Sequence, residues 1–182
     1  MMYKIVTSLS TILLVSLSLN TQAAAPITSV YTALEGANCK TLESSEEGGG
    51  WYKGRCKGMN AYDLLVMEGD LRQTITIVDP KKKEHPLELW NTVSSGFSSL
   101  GNKAEWRMQK QANKPVPIAL IVRFNVSEDP ERPEKNTSYL VVSKITANSI
   151  CVTDVIKPQA NANELARKLA DQAANKACKP AG

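Results

Sequence analysis

Histidine is nearly missing from this chain, aromatic residues are few, and no long apolar run occurs after Leu19. The only histidine among 182 residues is His85, inside Lys83-Glu84-His85-Pro86, a turn beside a proline. A serine nucleophile needs an imidazole within hydrogen-bond reach and a carboxylate behind it, so this histidine is expected to be solvated or structural. Zinc or copper sites built from histidines are excluded by count. No G-x-G-x-x-G or Walker pattern occurs, and nucleotide binding has no support. The acidic run Ser127–Thr137 lacks the D-x-D-x-D-G spacing of a calcium loop. No metal and no cofactor is expected.

The N-terminus reads as a targeting segment. Lys4 supplies a short positive region, Ile5–Leu19 is mostly apolar with scattered Ser and Thr, and Thr21-Gln22-Ala23-Ala24-Ala25 offers small residues for a signal peptidase. That run is too short and hydroxyl-rich for a membrane span, which needs about 20 apolar residues. Residues 1–25 are therefore expected to be a cleaved signal peptide and residues 26–182 one β-rich domain. Removing Lys4 lowers the formal charge from +4 to +3, too mild for a nucleic-acid footprint. Neither nucleic-acid binding nor membrane insertion of the mature chain is expected.

All four cysteines, Cys39, Cys56, Cys151 and Cys178, lie after the leader, at spacings of 17, 95 and 27. A zinc site needs close pairs such as C-x2-C, which these spacings do not supply. An even count in an exported chain points to two disulfides, with three connectivities open. Nearness in sequence favours Cys39–Cys56 and Cys151–Cys178. With no thiolate left over, cysteine catalysis is disfavoured.

The mature chain reads as α+β and mostly β: an antiparallel sheet, or a small barrel or sandwich, with a C-terminal helix packed on it. Ser29–Leu34 suits a short helix or an edge strand. Tyr62–Met67 and Leu71–Val78 form a hairpin around Glu68-Gly69-Asp70, with Leu71, Ile75 and Ile77 facing the core and Arg72, Thr74 and Thr76 facing water. Leu87–Trp90 is expected to resume a strand. Lys103–Met108 alternates, and Ile118–Val126, nearly continuous in apolar residues, is expected to be central with Ser138–Ile145 as its partner. Asn161 followed by Glu164 suggests a capped helix with an apolar stripe through Ala162, Leu165, Ala166, Leu169 and Ala173, Lys176 in its last turn and Pro180 beyond.

Two segments have the character of gripping loops: Gly48-Gly49-Gly50-Trp51-Tyr52, and Ser94–Leu100 around Phe97. Glycine lets backbone approach closely, and aromatics bring contact area at low entropic cost. Trp51, Tyr52, Ser95, Phe97 and Ser98 are the candidate binding residues; the competing reading makes Trp51 and Phe97 core residues at strand ends. Glu68 and Asp70 flank Gly69 and could converge on a cation or sugar, although hairpin tips select such residues for turn geometry. No catalytic residue is assigned.

The segments GGGWYKGRCKG, YDLLVMEGDLRQTITIV, FSSLGNKAEWR and TSYLVVSKI, with the four-cysteine layout, resemble a family of exported bacterial proteins to which no transferable activity is attached. The resemblance implies a bacterial periplasm, with secretion as the alternative, and makes the sequons at Asn125 and Asn136 incidental.

These readings converge on a non-catalytic exported protein that binds an unknown protein or small molecule in the periplasm. One specific form is an inhibitor of a cell-wall hydrolase that inserts the Ser94–Gly101 loop into a cleft. Two alternatives stand beside it. One is a small-ligand carrier with an apolar cavity lined by Trp90, Trp106 and Tyr139. The other is a hydrolase using two carboxylates about 5–9.5 Å apart.

Overall fold

Alternating side chains and paired turn residues organise the chain into strands β1 (Ile27–Ala33), β2 (Cys39–Ser45), β3 (Trp51–Lys57), β4 (Asp63–Gly69), β5 (Arg72–Val78) and β6 (Glu84–Pro86). A short helical turn α1 (Leu89–Thr92) follows, then β7 (Phe97–Gln111), β8 (Lys114–Ser127), β9 (Asn136–Ile145), β10 (Ile150–Ile156) and helix α2 (Ala162–Asp171). The computed structural model describes residues 25–180; the expected leader lies, but for Ala25, outside the described residues.

The sheet runs β10-β9-β8-β7-β5-β4-β3-β2, with β1 on the second half of β7 and β6 on the end of β5. Pairing is antiparallel except for one bridge, Arg72 to Ser98, between β5 and β7. The sheet is open, and among the described strands β2 and β10 stand at its two ends.

One face of the whole sheet shares a single core. Leu64, Val66, Ile75 and Ile77 from β4 and β5 pack in the same cluster as Trp106, Leu120, Val122, Phe124, Tyr139 and Val141 from β7 to β9. The nearly continuous apolar run of β8 is explained by its second face: Ala119 and Ile121, with Leu140 and Val142 of β9, lie against Ala166, Ala170 and Ala173. Strands covered on both sides lose the polar alternation of half-exposed ones. The short alanine side chains let α2 lie close to the sheet.

Both disulfides join the neighbours in sequence, Cys39–Cys56 and Cys151–Cys178. The first spans directly paired positions of β2 and β3; the second ties the tail after α2 to β10. Two disulfides mark an oxidising, exported environment. No helix among the described residues is long and apolar enough to cross a membrane.

Of the two alternatives for Ser29–Leu34 the edge strand holds: the segment falls in and just after β1, which pairs with β7 alone. Several other local expectations are corrected. Leu87–Trp90 does not resume a strand: Leu87 and Leu89 are buried and the chain turns into α1. The β4–β5 turn is the two residues Asp70-Leu71, both at positive φ (51° and 57°), so Leu71 sits on the tip and not on the core face. Thr74 and Thr76 are buried, and the Leu89 amide donates to Thr74 Oγ1 at 3.1 Å. Asn161 occupies the N-cap position of α2 without a side-chain capping bond, and the helix stops at Asp171. Lys176 lies beyond it and pairs with Asp154, Nζ to the carboxylate oxygens at 2.7 and 2.8 Å.

Candidate functional site

Strand register brings residues of two distant segments to the same end of the sheet. Trp51 pairs with Gly69, and Gly69 with Arg72. The Ser98 amide then donates to the Leu71 carbonyl at 2.9 Å. The hairpin tip thus stands between the start of β3 and the start of β7. Three large apolar side chains are exposed along this rim: Leu71 (58%), Phe97 (47%) and Trp51 (43%).

Each is placed by local chemistry. Trp51 leaves a short turn over Glu47–Gly49 in which Gly49 and Gly50 have φ of +98° and +79°, values that side-chain-bearing residues resist. Phe97 follows Gly96, where a Cβ would meet the Ser127 carbonyl oxygen at 2.5 Å; only glycine lets the loop close onto β8 here. The Arg72 guanidinium lies 4.9 Å from the Phe97 ring centroid. Its Nε donates to the Ser95 carbonyl at 2.8 Å, and its Nη1 donates to the carbonyl and carboxylate of Asp70. Arg72 therefore ties the hairpin tip to the Ser94–Phe97 loop and presents a cation–π face, worth roughly 0.5–1 kcal/mol at exposed sites. Asp70 is consumed in this contact, and Glu68 accepts from Gln73 Nε2 at 2.6 Å.

Phe97 divides two clefts. The larger, about 450 Å³, has Arg72, Ser95 and Phe97 on one side and Glu128, Pro130 and Pro133 on the other. The smaller, about 240 Å³, has Leu71, Phe97, Asn125 and Asn136 around it. Both prolines come from the charged Ser127–Thr137 stretch, so this connection forms a wall of the site.

The five candidates divide. Trp51, Ser95 and Phe97 face solvent at the rim. Tyr52 points to the opposite, inner face, where its ring covers Gly54 and it borders a separate cleft of about 420 Å³ with Gln73, Leu100 and Asn102. The Ser98 hydroxyl is buried and without a hydrogen-bond partner, because Ser98 pairs with the core residue Val126. From Phe97 onward the expected Ser94–Gly101 loop is strand, paired with β8; only Ser94–Gly96 is free to enter a cleft. Leu71 and Arg72, which alternation along the strand places on its two faces, complete the rim. The signal that finds them is register: pairing Asp63–Gly69 with Arg72–Val78 leaves only Asp70 and Leu71 for the turn.

The alternatives fare less well geometrically. Trp106 is fully buried, donates from Nε1 to Thr32 Oγ1 at 2.9 Å, and packs near Tyr62 with ring centroids 6.1 Å apart. Tyr139 donates to Glu128 at 2.6 Å; burial first, then that hydrogen bond and the Glu128 charge, push its phenol up to about 12. Neither these residues nor Trp90 borders any of the clefts described. None of those clefts, including one of about 210 Å³ beside Tyr31 and Glu105, is lined by more than one carboxylate. His85 pairs with Asp79, Nε2 to Oδ2 at 3.2 Å. No group of three or more metal-ligating side chains occurs among the described residues. Comparisons of the chain with family models, with curated proteins and with solved structures find no match.

Proposed function

We propose that this chain is a non-catalytic binding protein of the bacterial periplasm, and that the Trp51–Leu71–Phe97 rim is where it takes hold of another protein. The observation that carries the reading is the gathering of three exposed apolar side chains at one edge. Clustered exposed apolar area marks interaction sites more than scattered residues do. Leucine at positive φ costs about 1–2 kcal/mol; Ala61 and Ala112 hold the same conformation in other turns, so it is the exposure of the three side chains that supports the reading. Aromatic and arginine side chains are the usual energetic anchors of interfaces, and Phe97, Trp51 and Arg72 supply them here. Two disulfides and the leader-like N-terminus support the compartment.

In its most specific form the protein inhibits a cell-wall hydrolase. Ser94–Gly96 and the Asp70–Leu71 tip enter the enzyme's cleft, while the Phe97–Pro133 cleft receives an apolar side chain in return. This form rests on class analogy between small disulfide-bonded exported proteins. Its test is the rate at which a muramidase solubilises peptidoglycan with wild-type protein, Phe97→Ala or Leu71→Asp added. Inhibition by wild type that weakens about 30-fold in either variant, the size of an interface anchor, supports it. Unchanged turnover with wild type removes the hydrolase form. If site-specific crosslinking from residue 97 recovers no periplasmic protein, the rim reading itself fails.

A further inference from the structure

Strand β3 carries a second pattern that the rim does not use. Tyr52, Gly54 and Cys56 face inward, with Cys56 fully buried in the core, so Trp51, Lys53, Arg55 and Lys57 point outward on one line. Successive side chains on one face of a strand recur every ~6.6 Å, which sets three cations along ~13 Å. Lys40 stands opposite Arg55 on β2. The carboxylates nearby are Glu43, opposite Lys53, and Asp63, opposite Lys57. Asp63 is shared between Arg55 Nη1 at 3.4 Å and Lys82 Nζ at 3.7 Å. Among the described residues Lys40, Lys53 and Lys57 form no salt bridge. On β2, β3 and β4, four outward cations (Lys40, Lys53, Arg55 and Lys57) therefore meet two carboxylates (Glu43 and Asp63) on this face.

Covering Leu65 and Met67, which lie opposite Arg55 and Lys53, explains why the stems are long. It does not explain the charge, since Glu or Gln stems cover apolar surface as well. We infer that this face binds an extended acidic segment of a protein partner, with a carboxylate at every second residue. An extended peptide repeats its side chains at the same pitch as β3, so each carboxylate meets one cation. The stripe is one strand wide and bordered by Glu43 and Asp63. A flat anionic surface would press against those two carboxylates, whereas a single chain passes between them. Trp51 stands at the head of the stripe and belongs to the rim, which makes the two surfaces continuous. The inference rests on the reading of the chain as a binding protein, and not on the Phe97 cleft.

The probe is a fluorescent decapeptide of alternating Glu and Thr, compared with one of the same composition whose five Glu are contiguous. Fluorescence anisotropy at low salt should show the alternating peptide binding at least about fivefold tighter, with affinity falling as salt screens the contacts. The variant Lys53→Thr/Arg55→Thr/Lys57→Thr should lose about tenfold or more and flatten the salt dependence. Removing the same charge elsewhere, Lys110→Thr/Lys114→Thr/Lys135→Thr, should change affinity less than about twofold. Phe97→Ala should leave peptide affinity unchanged, so that failure here and failure of the rim are told apart. If the triple β3 variant does not fold, Lys53→Thr and Lys57→Thr singly, each expected to lose about two- to threefold, decide the matter. Equal losses in the two triple variants, equal binding of the two peptides, or tighter binding of inorganic polyphosphate than of the alternating peptide would each overturn the inference.

Discussion

The α2 face of the sheet and the Trp51–Leu71–Phe97 rim are opposites in how they treat polar and apolar groups. Under α2, charge is buried and matched. Arg107 is 7% exposed and Glu105 9%, yet Arg107 makes a two-pronged contact with Asp171 (2.7 and 2.9 Å) and donates to Ser29, whose hydroxyl donates to Glu105. Arg167 Nε reaches the same Glu105 carboxylate at 2.7 Å, and its Nη2 donates to the Tyr31 hydroxyl at 3.1 Å. At the rim, apolar side chains are left in water and a leucine is held at positive φ. The first region has reached a local optimum; the second has not. That contrast in exposed apolar area is what supports the proposal that the rim, and not the α2 face, is the contact surface.

The largest effect should come from breaking the matched side. Arg107→Met leaves Asp171 and part of Glu105 without their buried partner, and the cost expected for removing one member of such a set is about 3–5 kcal/mol. Urea unfolding with an unchanged slope would measure it; a loss under about 1 kcal/mol would show the network to be ornamental. Next in size, Cys151→Ser with Cys178→Ser opens the loop that ties the tail to β10 and should cost about 3 kcal/mol, read as a lowered midpoint of unfolding.

Acid tests the same side through Glu105. Burial pushes its carboxyl up, but hydrogen bonds from Arg167 and Ser29 and the Arg167 charge outweigh it and hold it below the usual range. A group lowered on folding contributes stability that is complete above its unfolded value, about 4.3, and is lost as pH falls through the lower folded value. Wild type should therefore lose stability more steeply in that acid window than Glu105→Gln. Parallel pH profiles for the two proteins would count against the assignment.

At the rim the signs reverse. Leu71→Gly should stabilise the fold by about 1 kcal/mol, because glycine accepts positive φ without a Cβ clash, while it weakens partner capture. A destabilised glycine variant would show that Leu71 is packed and not held in reserve. Smallest of all, Phe97→Ala should cost no more than about 1 kcal/mol, the worth of its stacking with Arg72. A thermal midpoint well below that of wild type would place Phe97 with the core and remove it from the interface.

Much of the frame was legible in the residues. The apolar run Ile118–Val126 announced a strand covered on both faces, four cysteines at those spacings pointed to neighbour pairing, and the alanine stripe after Asn161 marked the helix that packs on the sheet. These signals are local: burial on two faces, loop closure and helical period are each written within a few residues of themselves. The rim was half legible, since Trp51 and Phe97 announced contact surface without saying whether they faced inward. Leu71 was misread because a two-residue turn at positive φ normally advertises itself with Asn-Gly, and Asp-Leu does not.

Alternation, cysteine spacing and the helical stripe are set by nearest neighbours along the chain, and the sequence alone marked most of the strands and the terminal helix and favoured the disulfide pairs. Which residues share a surface depends on register between strands far apart in sequence. Only the tertiary structure decided that the Asp70–Leu71 tip stands between Trp51 and Phe97, that Ser98 turns inward, and that Lys53, Arg55 and Lys57 form one outward line beside Lys40. A shift of one residue in any of those pairings would turn every side chain to the other face, and no property of a single segment specifies which pairing wins.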